Sequence, residues 1–140
     1  MSKVAVVYWS GTGNTEAMAN AVAKGAKDAG AEAAVFTPDG FDAEKMDGFD
    51  AVAFGCPAMG AEELEDSEFL PMYESIKDKL KGKRIALFGS YGWGDGEWMR
   101  NWDNEVRELG AEIVSDYVIV NDAPDDEGIS ECEKLGAALV

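Results

Sequence analysis

Short apolar runs alternate along this chain with longer amphipathic stretches. The runs at 4–8, 33–37, 51–55, 84–89 and 113–120 predict strands, the last one interrupted at Ser115-Asp116. Apolar residues at helical spacing predict helices over 14–29, 68–80, 97–109 and 129–139, with a weak turn around 43–46. Gly30, Gly82 and Gly110 each follow a predicted helix where a C-terminal glycine belongs. Strand–helix alternation of this kind means a parallel sheet covered on both faces. Right-handed crossovers leave few topologies, and five strands in this length suit the order 2-1-3-4-5. The expected fold is therefore a doubly wound α/β domain, a five-stranded parallel sheet with helices on both faces. It spans 1–140 as one unit. A ligand in such a sheet binds beyond the strand C-termini, where the first and third strands diverge.

The loop after the first strand carries chemistry. Ser10-Gly11-Thr12-Gly13-Asn14-Thr15 places glycines, hydroxyls and an amide at the opening of a helix. Four helix N–H groups lack intrahelical partners there and the dipole favours negative charge, so the loop suits an anion. No Lys or Arg lies between Lys3 and Lys24, so neutral donors alone would hold it, which suits one terminal phosphate. A P-loop is excluded because Gly13 is followed by Asn14-Thr15 rather than Lys-Ser/Thr. Gly11-Thr12-Gly13 is only a fragment of a dinucleotide fingerprint. The plainer alternative is an ordinary turn with Ser10, Thr12 or Asn14 as N-cap.

Composition narrows the function. Acids outnumber bases by 28 to 12 and the formal charge is −16, which argues against nucleic acid or an anionic membrane and for positively charged protein partners. There is no histidine, which removes imidazole catalysis and ligation. Cys56 and Cys132 fit neither a disulfide framework nor a zinc site and read as a strand-end and a helix residue. Met1-Ser2-Lys3 leads straight into a strand with no signal-peptide pattern, and no apolar run approaches a membrane span. A cytoplasmic monomer without bound metal is the expectation.

Two further loops face the same end of the sheet: Cys56-Pro57-Ala58-Met59-Gly60-Ala61-Glu62-Glu63, and Ser90-Tyr91-Gly92-Trp93-Gly94-Asp95-Gly96-Glu97-Trp98. Trp93 between glycines suits stacking on a planar heterocycle, and Met59 would cover the other face or simply fill a gap. Trp9, Tyr91 and Trp98 border either the ligand or the core. A phosphate nest at one end and an aromatic platform at the other describe a planar mononucleotide, and FMN fits better than adenine or guanine nucleotides.

Residues 7–19 (VYWSGTGNTEAMA), 55–60 (GCPAMG) and 86–99 (ALFGSYGWGDGEWM) together resemble the flavodoxins of the short-chain, clostridial type, and the resemblance covers nearly the whole chain. It implies that Ser10, Gly11, Thr12, Gly13, Asn14 and Thr15 hold the FMN phosphate. It also implies that Met59 and Trp93 sandwich the ring, and that the backbone of Ser90, Tyr91, Gly92, Trp93, Gly94 and Asp95 follows its polar edge. Glu62 would accept from flavin N3, with Pro57, Ala58, Gly60 and Ala61 completing the wall. Pro57 and Ala61 depart from residues seen in some relatives. The Gly60–Ala61 peptide, in a four-residue turn over 59–62, would flip its carbonyl toward flavin N5. The implied role is a low-potential one-electron carrier working between semiquinone and hydroquinone. It would serve basic-surfaced reductases and oxidoreductases that also use ferredoxin. Acids at Asp50, Glu62, Glu63, Glu65, Asp66, Glu68 and Glu74, with Asp122, Asp125, Asp126 and Glu127, would rim the flavin edge. The alternatives are an FMN-dependent two-electron quinone or nitro reductase on the same fold, and a response-regulator receiver. The receiver lacks its acids after the first strand, where Tyr8-Trp9-Ser10 stand.

Overall fold

The structure, a computed structural model, describes residues 2–11, 13–59, 63–92 and 94–140. Its strands are β1 (Lys3–Tyr8), β2 (Glu32–Phe36), β3 (Ala51–Gly55), β4 (Arg84–Tyr91), β5 (Glu112–Ile113) and β6 (Val118–Asn121). Its helices are α1 (Asn14–Asp28), α2 (Ala43–Met46), α3 (Phe69–Ile76), α4 (Glu97–Glu108) and α5 (Asp126–Ala138), with 3₁₀ turns at Pro38–Gly40 and Lys77–Lys79. All strand pairs are parallel and the order is β2-β1-β3-β4-β5, with β6 also on β4. β5 and β6 are one interrupted fifth strand: β5 lies beside Arg84 and Ile85, and β6 beside Phe88 to Tyr91. Between those pairings the fifth strand advances from 113 to 118 while β4 advances from 85 to 88. The surplus is taken up around exposed Ser115-Asp116, where the sequence predicts the break.

The central strands are apolar through their middles, Val4–Val7, Ala51–Gly55 and Ile85–Phe88, because both faces are covered. One face packs Val52, Phe54, Ile85 and Leu87 against α2, α3 and α4, through Met46, Phe69, Tyr73, Trp98 and Trp102. The other packs Val4, Val6, Ala53 and Phe88 against α1 and α5, through Met18, Val22, Cys132 and Leu135. α1 and α5 cross backbone to backbone at glycines. A Cβ on Gly136 would lie 1.9 Å from the Val22 carbonyl oxygen, and one on Gly25 would lie 1.9 Å from that of Glu133.

Gly30 and Gly110 end α1 and α4 at φ of 102° and 91°. Each completes a paired closure: Ala31 N donates to Ala26 O and Gly30 N to Lys27 O, repeated by Ala111 on Val106 and Gly110 on Arg107. Several boundaries differ from expectation. The strand expected at 33–37 runs one residue earlier, because Thr37 precedes Pro38 and opens a 3₁₀ turn. The helix expected over 68–80 relaxes into a 3₁₀ turn after Ile76. The last helix begins at Asp126 rather than 129, since the Asp125 carboxylate accepts from Gly128 N at 2.7 Å and caps it.

Candidate functional site

The carboxyl ends of β1, β3 and β4 lie side by side, with Tyr8 opposite Gly55 and Gly55 opposite Phe88. Their loops therefore converge at one end of the sheet. Backbone bonds join them: Trp9 N donates to Gly55 O at 3.0 Å, Cys56 N to Phe88 O at 3.2 Å and Ala58 N to Ser90 O at 3.2 Å. The junction needs glycine at Gly89, where a Cβ would stand 2.3 Å from the Cys56 carbonyl oxygen.

In the first loop, Gly13 is the N-cap of α1, in the left-handed region at φ 94°, and no side chain caps the helix. This corrects the alternative in which Ser10, Thr12 or Asn14 serves as N-cap. Ser10 Oγ instead accepts from Gly13 N at 3.0 Å, inside the loop. The first helical bond is Ala17 N to Gly13 O, so the N–H groups of Asn14, Thr15 and Glu16 stand at the open end without intrahelical acceptors. Thr15 is buried, while Ser10, Gly11 and Gly13 line a cavity of about 450 Å³ together with Tyr8, Trp9 and Glu16. None of the described residues lining it is a Lys or Arg. Glu16, the acid of the first helical turn, accepts from the Tyr8 hydroxyl at 2.8 Å. Burial, reinforced by that carboxylate, pushes the Tyr8 phenol above its ordinary range.

In the second loop, Met59 and Glu63 exchange two backbone bonds, of 2.9 and 2.8 Å, as an isolated antiparallel bridge. Residues 60–62 of the expected turn over 59–62 lie outside the described residues. Among the described residues Met59 is one of two exposed large apolar side chains, 36% accessible. Pro57 is half-buried and Ala58 buried. Cys56 is fully buried, and burial pushes its thiol up to about 12; burial likewise holds Cys132 at about 12. Cys56 directly follows β3 and Cys132 lies in α5, as the strand-end and helix residues expected.

Glu65 departs from expectation. It is not a rim acid but 4% exposed. Its carboxylate accepts from Ser67 N, Glu68 N and Phe69 N, each at 2.8 Å, and from the Ser67 hydroxyl. Burial alone would push this carboxyl up; the Ser67 hydroxyl and the three backbone donors more than offset that and hold it below the usual carboxylate range. Asp125 is likewise committed, as the cap of α5.

In the third loop, Ser90 is buried and its hydroxyl donates to Asp122 O at 2.7 Å. The Ser90 carbonyl accepts from Ala58 N, and the Tyr91 carbonyl from Asp122 N and Asn121 Nδ2. These groups secure the loop's base, and Gly92, Gly94 and Asp95 extend beyond it before Gly96 caps α4. Arg100 donates from Nη1 to Asp95 O at 2.9 Å and from Nη2 to Asp95 Oδ1 at 3.1 Å. Sequence reasoning missed this cation; its signal is the spacing of Asp95 before a helix start and Arg100 within its first turns. Trp98, 2% exposed, lies beneath the second loop, where Nε1 donates to Cys56 O at 3.1 Å and its ring packs on Tyr91. Of the three border aromatics, Trp9 lines the cavity and Trp98 belongs to the core. Thr12, Gly60, Ala61, Glu62 and Trp93 lie outside the described residues.

A doubly wound parallel sheet with an uncharged anion loop at its switch point defines a mononucleotide-binding α/β protein. The comparisons give the particular family. The family model "Flavodoxin" matches residues 6–136, and the chain belongs to that family. It is 47% identical to the flavodoxin of Megasphaera elsdenii and 44% identical to that of Clostridium beijerinckii, in both cases over 96% of each chain. The solution structure of two-electron reduced Megasphaera elsdenii flavodoxin superimposes with a TM-score of 0.89, at 46% identity and 97% coverage of both chains. A flavodoxin from the domain Archaea follows the same path at 28% identity, with a TM-score of 0.85 over 98% of this chain and 95% of that one. The chain is accordingly an FMN-binding electron carrier rather than an enzyme, and the reductase reading is not favoured. The described residues fit the cofactor: the end of α1 has no side-chain cap and opens beside the Ser10 hydroxyl, which suits a phosphate, and the Met59 thioether is exposed. Among the described residues no helix is long and apolar enough to cross a membrane, and no acid or cysteine cluster could hold a metal.

Proposed function

We propose that this carrier works one electron at a time and at low potential, as a single cytoplasmic domain and a monomer that docks onto basic-surfaced redox proteins. Bound FMN supplies the one-electron chemistry; the chain's residues hold and tune it. Ser10, Gly11, Thr12, Gly13, Asn14 and Thr15 bind the phosphate through hydroxyl and backbone donors. Met59 and Trp93 cover the two ring faces and exclude water. Pro57, Ala58, Gly60 and Ala61 form the wall, and Glu62 accepts from the N–H at flavin N3. Gly60 tolerates either sign of φ, so its carbonyl would turn toward flavin N5 and accept a hydrogen bond from an N–H there. Gly92, Gly94 and Asp95 supply the remaining backbone edge beyond Ser90 and Tyr91.

The observation that carries this reading is the uncapped end of α1 opening on a cavity without a cation. Around it the net charge is −16 and Arg100 is already paired with Asp95. Added negative charge is disfavoured in such surroundings, which lowers the potential at which it can be placed there. The same field attracts basic partners.

The test is an absorbance record of the protein with FMN during stepwise anaerobic reduction. A long-wavelength band that rises to half reduction and disappears at full reduction supports one-electron work. Bleaching in one two-electron step favours a reductase, and failure to bind FMN sinks the assignment of the site.

A further inference from the structure

The second loop of the site is anchored at both ends by one residue that no part of the proposed cofactor contact uses. Glu65 N donates to Cys56 Sγ at 3.3 Å, bringing a residue two positions past the loop against the loop's first. Inside that closure lies the Met59–Glu63 bridge, so the loop is a two-rung ladder. Beyond it, both carboxylate oxygens of Glu65 are engaged. Oε1 accepts from Glu68 N and Phe69 N, and Oε2 from Ser67 N and the Ser67 hydroxyl. Leu70 N adds a bond to the Glu65 carbonyl at 2.9 Å. The start of α3 is thereby fastened to Glu65, and Glu65 to the end of β3. At the other end, the Cys56 carbonyl rests on Trp98 Nε1 and Cys56 N on Phe88 O.

We propose that Glu65 is a positioning residue, a clasp that builds the loop of Met59 and Gly60 before FMN arrives. This rests on the reading that the loop covers the flavin. All four side-chain partners of Glu65 are donors, so the site demands an acceptor on both terminal atoms. A carboxylate provides this and a carboxamide does not. Glu65→Gln is nearly the same shape yet turns an NH₂ group toward at least one backbone N–H in a buried place. The loop's open state then becomes populated while the sheet beneath it stays intact, which is local opening rather than global unfolding.

Cys56 reports on this directly. Its thiol is fully buried under the clasp, whereas Cys132, equally buried, lies between α5 and the opposite face of the sheet. The experiment labels both thiols with an aromatic disulfide reagent at pH 8, in FMN-free and FMN-loaded protein, and assigns each site by peptide mass. In FMN-free Glu65→Gln, Cys56 should react at least ~10-fold faster than in the parent, with Cys132 unchanged. Equal acceleration of both thiols would reduce Glu65 to a general stabiliser and overturn the proposal, as would no acceleration of Cys56. Should Glu65→Gln fail to fold, Ser67→Ala removes one donor and leaves the three backbone donors. It should accelerate Cys56 alone by a smaller factor, and no acceleration there overturns the clasp. FMN should slow Cys56 labelling in the parent protein. Absence of that protection counts against the reading of the loop as a flavin cover, and leaves the clasp to be judged on the FMN-free comparison.

Discussion

Gly136→Ala sets two physical effects against each other. Helix propensity alone favours the variant, because replacing glycine inside a helix typically gains about 1 kcal/mol. Gly136 lies in the last turns of α5, where that gain is smaller. Against it stands the crossing with α1. The new Cβ would meet the Val22 carbonyl oxygen at 1.9 Å and Ala26 N at 2.9 Å, more than an ångström short of any tolerable contact for the first. Both obstacles are backbone atoms of α1, so no rotamer change can relieve them. The helices must separate, loosening the packing of Met18, Val22, Cys132 and Leu135. Overpacking of this kind costs about 1–3 kcal/mol and outweighs the propensity gain. The variant should unfold at lower urea concentration, with a net loss of about 1–2 kcal/mol. Its FMN affinity should stay close to the parent's, because the crossing lies away from the three loops. A Gly136→Ala protein as stable as the parent, or more so, would refute the close crossing of α1 and α5.

Two other outcomes follow from the site. Trp98→Phe keeps an aromatic body but leaves the buried Cys56 carbonyl without the indole donor. Stability should fall by about 1–3 kcal/mol and FMN should bind more weakly; unchanged urea midpoint and affinity would remove that bond from the account of the loop. Electron exchange with a basic redox partner should slow steadily as salt rises from about 0.01 to 0.15 M, where the screening length shortens severalfold, and a salt-independent rate would show that surface charge does not steer docking.

The parts of the fold that were legible in the sequence are those set by local chemistry. The run at 4–8 is apolar at every position and ends in a loop of glycines and hydroxyls. That combination is enough to place β1, the anion loop and α1, and from their alternation with later elements the sheet order. The break at Ser115-Asp116 was readable for the same reason: two polar residues interrupt an apolar run. The start of α5 was not, because Asp126, Glu127 and Gly128 look like a loop until Asp125 is seen to cap them, although acids in a first turn are the signal that was there. Glu65 was misread because it lies within a run of acids. Nothing in Glu63-Leu64-Glu65-Asp66 separates a buried carboxylate from solvated ones, except that Glu65 stands four residues before the first apolar residue of α3. The crossing at Gly136 and the support of Cys56 by Trp98 join residues far apart in the chain and have no local signature at all.

The charge arrangement separates anchoring from tuning. A lysine at the phosphate loop would bind the anion strongly, but its full charge would also act on the ring and favour added negative charge there. The end of α1 offers instead about half an elementary charge, spread over orphan N–H groups and fading within a turn. Tyr8 donates to the Glu16 carboxylate at that same turn, so this acid has a donor of its own. On the far side, Asp95 and Arg100 largely cancel one another. With FMN placed as proposed, short-range donors hold the phosphate while the longer-range field at the ring stays set by the surplus of acids. In a protein whose task is to pass electrons on, that surplus keeps the added charge easy to lose.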